Sequence, residues 1–287
     1  MVTLPEEGTL LVATDLHGNL ADFRAVVALF HELLPAQASA CLVIAGDLVH
    51  GPRIAVGEWP DHLGSYYRDE SRQLLREAWA LQRRYPAQVH YLLGNHEHAH
   101  LGGPRLSKFH PDEARCLEDA YGPAGFEMTR GWLRGWPLAA VAPKAGIVVT
   151  HAAPHAQIRA VADLDELPLD GFTDTALHEM AGAGPLGALL WARTTTAERG
   201  YAFLRAIHPQ ARVAVFGHDV VREGHLVEHE PLLCVSTSFG CHDGDKAYLR
   251  WDLGTLAMDA DTLARDGLRR LYPAAPVVYR RVDRPNP

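Results

Sequence analysis

The chain has 287 residues, 47% of them hydrophobic, which is enough to bury a large core in one α/β domain. With 35 acidic against 27 basic residues and a net charge of -8, it lacks the Lys and Arg surplus on which binding to a nucleic-acid backbone rests. It has no apolar run of the roughly 18 residues that a membrane span needs, no basic, apolar leader and no C-x-x-C pair among Cys41, Cys116, Cys234 and Cys241, so a cytoplasmic protein with neither nucleic acid nor membrane as partner is expected.

Thr9 to Thr14 reads as a strand, after which Leu20, Phe23, Val26, Val27, Phe30, Leu33 and Leu34 recur at helical spacing up to Pro35. Ala40 to Ala45 is the next strand. Residues 51 to 62, rich in Gly and Pro, read as a loop, followed by a helix from near Leu63 to Arg84 that Pro86 ends. Val89 to Leu93 forms a third strand. A short helix near Asp112 to Tyr121 comes before strands near Leu138 to Ala142 and Ile147 to Thr150. A helical region from 174 to 207, broken at Gly182 to Pro185, leads to a strand at Arg212 to Phe216 and to closing strands near Leu232 to Ser236 and Lys246 to Asp252. Cys41 and Cys234 sit in apolar runs and read as core thiols. Residues 1 to 272 are expected to form one domain without internal repeats. Residues 273 to 287, with Pro273, Pro276, Pro285 and Pro287, form an extended tail.

Several of these strands end in side chains that bind metals: Thr14-Asp15-Leu16-His17-Gly18-Asn19, Gly46-Asp47, Gly94-Asn95-His96-Glu97, Thr150-His151 and Gly217-His218. Residues two apart in extended backbone share a face, so Asp15 and His17 could serve one ion. A carboxylate such as Asp47 can bridge two cations about 3.5 to 4 Å apart. Asn95, His151 and His218 add an amide oxygen and two imidazoles for a second ion. This mixture suits Mn, Fe, Zn or Co better than Ca. Taken singly, each element has a plainer explanation, since Gly-Asp after a strand is most often a turn or a helix cap. Their conjunction in one order is what argues for a metal site. His96, His98 and His100 also admit a reading as an independent metal tract, but His98 and His100 are better placed at a helix start or on the rim. His50, His155 and His242 are further candidates for the cleft.

TDLHGN, GDLV, GNHE, THAAP and VFGH resemble the motifs of the calcineurin-like metallophosphoesterases. Within that family they are most similar to the phosphoprotein phosphatase branch, which includes bacterial serine/threonine phosphatases and symmetrical diadenosine tetraphosphatases. The later stretch STSFGCHDGDKAYLRWDL resembles that branch's closing strand pair. The resemblance implies a four-layer α/β sandwich, two mixed β-sheets flanked by helices. It also implies two divalent transition-metal ions, Mn first, with Asp15, His17 and Asp47 at one and Asp47, Asn95, His151 and His218 at the other. His96 would be the general acid, protonating the departing oxygen while a metal-bridging hydroxide attacks phosphorus. Arg193, two residues after Trp191, would clamp phosphate.

The sequence departs from that branch at Gly46-Asp47-Leu48-Val49-His50-Gly51-Pro52-Arg53. Its protein phosphatases read GD-x-V-D-R-G, in which the second Asp orients the general acid and the Arg binds phosphate. Here His50 stands in place of that Asp, and Arg53 is the candidate to replace the lost Arg from a shifted position. Asp219 also stands where relatives carry Thr, and either Asp219 or Asp243 is a candidate to orient His96. Three activities follow from the resemblance: hydrolysis of phosphoproteins or small phosphoesters, hydrolysis of dinucleoside polyphosphates, or sensing of phosphorylated partners with weak catalysis. Oligomeric state is not encoded in any of these features.

Overall fold

The strands are short runs of Val, Leu, Ile and Ala that are apolar on both faces, as suits sheets covered on both sides. A computed structural model describes residues 1–34 and 39–279. β1 (Val2–Thr3) and β2 (Thr9–Ala13) precede α1 (Leu20–Leu33), whose N-cap Asn19 accepts the Asp22 N–H. β3 (Cys41–Ile44), α2 (Ser71–Arg84), β4 (Val89–Tyr91) and the single turn α3 (Asn95–His98) follow. Next come α4 (Glu113–Tyr121), α5 (Pro123–Arg134), β5 (Ala139–Ala142) and β6 (Ile147–Thr150). α6 (Ala162–Asp165), α7 (Gly184–Trp191) and α8 (Ala197–Ile207) lead to β7 (Val213–Phe216). β8 (His225–His229), β9 (Leu232–Val235), β10 (Ala247–Asp252), α9 (Ala260–Gly267) and β11 (Leu268–Arg270) complete the order.

One sheet runs β11-β10-β2-β3-β4 and the other β1-β5-β6-β7-β9-β8, each mixing parallel and antiparallel pairs. The period of two divides the strand residues between two cores. Leu10, Val12 and Val43 meet Ile147, Val149, Val213 and Leu233 between the sheets. Their neighbours Leu11, Ala13, Leu42 and Ile44 join Phe23 and Phe30 of α1 and Leu74 and Ala78 of α2 on the outside. Ala214 and Phe216 of β7 share that outer core with Leu189, Phe203 and Leu204 of α7 and α8. The result is the expected two mixed sheets flanked by helices. Cys41 and Cys234 are buried, as their apolar surroundings require.

Several elements differ from the sequence reading. The helix expected from Leu63 begins only at Ser71, because the Asp69 carboxylate takes both the Ser71 N–H and its hydroxyl and fixes the turn ahead of it. α5 was not anticipated: Gly122, at φ 73°, separates it from α4, and Pro123 starts it. The polar edge strand β8 and the short β1 and β11 carry too little apolar pattern to stand out. Val278 and Tyr279 donate their N–H groups to Asp245. Pro35, Pro285 and Pro287 lie outside the described residues. Among the described residues no helix is long and apolar enough to cross a membrane.

Candidate metal centre

The motif residues converge where the loops after β2, β3, β4, β6 and β7 meet, at the C-terminal ends of parallel strands from both sheets. Asp15 and His17 do not share a face of extended backbone as expected. β2 ends at Ala13, and the two residues lie in the left-handed region at φ 51° and 42°. Their loop is stitched to the next one by His17 N–H to Asp47 O at 2.8 Å and Gly18 N–H to Leu48 O at 2.7 Å. Asp47, His50 and His218 are left-handed as well, at φ 55°, 65° and 65°. A left-handed non-glycine residue costs about 1–3 kcal/mol, and this strain is gathered at one site. The glycine before a motif residue has a steric reason: a Cβ on Gly94 would strike the Asp47 carboxylate, and one on Gly217 would strike that of Asp15.

Asp47 sits at the middle of the donors, with His17 Nε2 3.5 Å from one carboxylate oxygen and His151 Nε2 3.5 Å from the other. His17 Nδ1 is 3.2 Å from the Val49 carbonyl and His151 Nδ1 is 2.7 Å from that of Ala45. Each Nδ1–H is thereby used, and each Nε2 lone pair is turned inward. Asn95 Oδ1 lies 2.9 Å from His151 Nε2 and 3.0 Å from His218 Nδ1. Asp15 takes the His218 N–H on both oxygens at 3.0 Å. Burial, above all else, pushes the Asp15 and Asp47 carboxyls up to about 7 and holds the His17 and His218 imidazoles well below their ordinary range. Buried carboxylates beside neutral imidazoles whose inward nitrogens carry lone pairs are a donor set that fits divalent cations.

Nothing in the metal-binding sequence pattern assigns a role to Glu97, the last residue of GNHE. It is fully buried, and its carboxylate accepts the N–H groups of Asp47, Leu48 and Gly94 at 2.9, 2.8 and 3.1 Å. It therefore braces the loop that carries Asp47. The signal available in the sequence was a capping-box spacing: an acidic side chain at the third position of a short helix reaches back to the N-cap.

His96 donates its N–H to Asp47 at 3.0 Å, and its ring lines a cleft of about 590 Å³ together with Asp15, His17, Asp47, Asn95 and His218. His50, a candidate for the cleft, is buried and does not line it; its Nδ1 is 3.1 Å from His96 Nδ1. The alternatives considered for that position are engaged elsewhere, Asp219 with Arg193 and Asp243 with Lys246. His98 and His100 are buried rather than on the rim, and His98 Nε2 meets the Leu169 carbonyl at 2.7 Å. His155 pairs with Thr195, and His242 stacks on Tyr279.

Arg193 lines the cleft. Arg53 does not: its Nε bonds Asp69 at 3.0 Å and its Nη1 reaches Cys116 Sγ at 3.4 Å, in a separate recess. Lys108, which nothing in the sequence singled out, takes the inward position. Its ammonium lies 4.1 Å from the centre of the Phe239 ring and lines the cleft; burial draws its pKa down while the charge of Asp47 opposes that shift.

The profile of the family described as calcineurin-like phosphoesterase matches residues 8–253. No curated protein sequence matches the chain. Among solved structures, a protein serine/threonine phosphatase from Saccharomyces cerevisiae is similar with TM-score 0.60 and 18% identity, over 87% of this chain and 76% of that one. The cold-active protein-tyrosine phosphatase of a Shewanella species is similar with TM-score 0.57 and 18% identity, over 88% of this chain and 78% of that one. At such identities the likeness is one of fold. The profile match across most of the length decides the rest: the chain belongs to the calcineurin-like phosphoesterase family and is a metal-dependent phosphoric ester hydrolase.

Proposed function

We propose that the protein hydrolyses phosphate monoesters, on phosphoproteins or small molecules, at a centre for two divalent ions of which Mn is expected first. The observation that supports this reading best is the placement of Asp47, with one oxygen turned to His17 and the other to His151. Asp15, His17 and Asp47 would hold one ion, and Asp47, Asn95, His151 and His218 the other. Bound there, the ions would acidify a water and screen the charge on a phosphoryl group. The chain's own groups do the remainder. Glu97 fixes the Asp47 loop. Arg193, as a planar fork, and Lys108, as a compact charge, grip phosphoryl oxygens. His96 gives a proton to the departing oxygen.

The charge of the cleft favours a monoester over a dinucleoside polyphosphate. Lys108 and Arg193 are the Lys and Arg side chains among the described residues lining it. Leu177, Trp191, Val220 and Phe239 supply apolar walls for a leaving group. The test is metal analysis of the purified protein, followed by turnover of an aryl phosphate, a phosphoserine peptide and diadenosine tetraphosphate with Mn. Turnover of the monoesters is expected. Cleavage of the polyphosphate alone would reverse the choice of substrate, and binding of phosphopeptide without turnover of any would leave a sensor.

A further inference from the structure

Behind His96 a line of side chains leads away from the cleft. His96 Nδ1 meets His50 Nδ1 at 3.1 Å, His50 Nε2 meets His100 Nε2 at 3.0 Å, and His100 Nδ1 meets Glu118 Oε1 at 2.9 Å. The three rings are buried; Glu118, on α4, is partly open to solvent, with Arg130 3.7 Å from its carboxylate.

Each nitrogen-to-nitrogen contact holds one proton, so the first donor in the line sets all the others. The hydrogen bond to His100 holds the Glu118 carboxyl below its usual range, and burial holds the His50 and His100 imidazoles below theirs. An ionised Glu118 accepts from His100 Nδ1–H, which leaves His100 Nε2 with a lone pair. That nitrogen accepts from His50 Nε2–H, which leaves His50 Nδ1 with a lone pair. His50 Nδ1 therefore accepts from His96 Nδ1–H, and neutral His96 turns to the cleft the lone pair of Nε2, the nitrogen that must take up a second proton before it can pass one to a leaving group. A neutral His50 alone has no preference between its two tautomers of the size required; the carboxylate at the end of the line supplies it.

We propose that His50, His100 and Glu118 are positioning residues acting in series, through which one carboxylate three contacts away fixes the tautomer and orientation of His96. This rests on His96 being the general acid. The left-handed backbone of His50, at φ 65°, aims its ring back at His96 and on to His100. Glu113 is the competing orienter. Its Oε2 is buried without a hydrogen-bond partner, 3.7 Å from His96 Nδ1 and 3.9 Å from His50 Nδ1. Those distances exceed a hydrogen bond. His50, His96 and Glu113 also have donor atoms near enough for a cation, which would require lone pairs on both Nδ1 atoms and hence His96 protonated on Nε2, the opposite tautomer.

The experiment reads tautomers directly, by long-range proton–nitrogen NMR of ¹⁵N-histidine protein loaded with diamagnetic Mg or Zn, and pairs this with kcat on two substrates. In the unsubstituted protein, N–H on His96 Nδ1, His50 Nε2 and His100 Nδ1 is expected. Glu118→Leu should mix the His96 tautomers and lower kcat for an alkyl phosphate by about tenfold or more, with an aryl phosphate, whose leaving group needs little protonation, changed by less than about threefold. Glu118→Gln, which keeps an acceptor oxygen for His100, should rescue both. Glu113→Gln should leave the tautomers as they were. N–H on His96 Nε2 with none on Nδ1 in the unsubstituted protein, or a tautomer that survives Glu118→Leu and is lost in Glu113→Gln, would overturn the proposal. The NMR readout does not depend on turnover, so it stands apart from the role of His96: correct tautomers with an active His96→Ala variant would refute the acid while leaving the line of residues in place.

Discussion

The imidazoles on the two sides of Asp47 are held by different means. His17 and His151 each spend their outer nitrogen on a backbone carbonyl, of Val49 and Ala45. His96 spends its outer nitrogen on another side chain, and that one on a third. A carbonyl anchored in a strand end or its stitched loop keeps its place as long as the sandwich folds, so the donor wall is fixed by the fold itself. A ring held by other rings can be retuned by a point substitution without touching the fold. The first arrangement suits groups that must bind ions the same way each time, and the second suits a proton donor whose partner sets its strength.

The strongest way to break this division is at its centre. Asp47→Asn keeps the shape and removes the charge between the two donor sets. Hydrolysis should fall by at least about 10³-fold, since several kcal/mol of charge stabilisation is at stake, with metal content reduced by elemental analysis and circular dichroism unchanged. Activity within a few-fold of the parent at full metal content would take Asp47 out of the shared position. His96→Ala tests the opposite side. It should keep its metals yet slow kcat by about 10² to 10⁴; loss of metal would move His96 into the donor wall.

Glu97→Ala asks whether the donor wall depends on the brace beneath it. Three buried N–H groups lose their acceptor, and at about 1–3 kcal/mol for each buried group left unpaired the urea unfolding free energy should drop by roughly 3 kcal/mol or more. A change below about 1 kcal/mol would mean that water replaces the carboxylate. The two cations can then be set against each other. Lys108→Ala should raise KM by about 10- to 100-fold, as expected for a charge-assisted contact of 1.5–3 kcal/mol. Arg53→Ala, which removes a group bonded to Asp69, should change KM by less than about twofold. Equal effects would place both residues on the substrate.

The charge of the donor wall can also be tested through pH. Burial raises the Asp15 and Asp47 carboxyls from 3.8 to about 7 in the ion-free site, and an ion binds only the ionised form. Raised acids hold protons that the ion must displace, so Mn affinity by calorimetry should weaken as pH falls through 7, by up to about tenfold per unit for each proton released. A flat profile between pH 8 and 6 would show that the carboxylates are already ionised in the free site.

Much of the donor wall was legible before the fold was known. Asp15, His17, Asp47, Asn95, His151 and His218 stand next to glycines or at strand ends, and the structure brings all six together at one edge of the sandwich. The apolar runs that became β2, β3, β6 and β7 were equally plain. What misled was local conformation: Asp15 and His17 follow the strand rather than extending it, because the left-handed turn is imposed by hydrogen bonds to a neighbouring loop and not by the residues' own preferences.

By itself, then, the sequence determined the alternation that builds two sheets, the chemistry of the donors and the glycines that let them approach, since each depends on a few neighbouring residues. Tertiary structure alone decided which charges face the cleft and what stands behind His96. Lys108 enters from the stretch ahead of α4, and Arg53 is drawn off by Asp69. Glu113 and Glu118 belong to an amphipathic helix whose acidic residues look, in sequence, like an ordinary solvated face. Only the tertiary contact between α4 and His100, in the segment after α3, makes one of them the last link to His96. The physical reason is range: backbone preference and donor type act over a few residues, whereas hydrogen bonds and electrostatic contacts join groups by distance in space, whatever their separation along the chain.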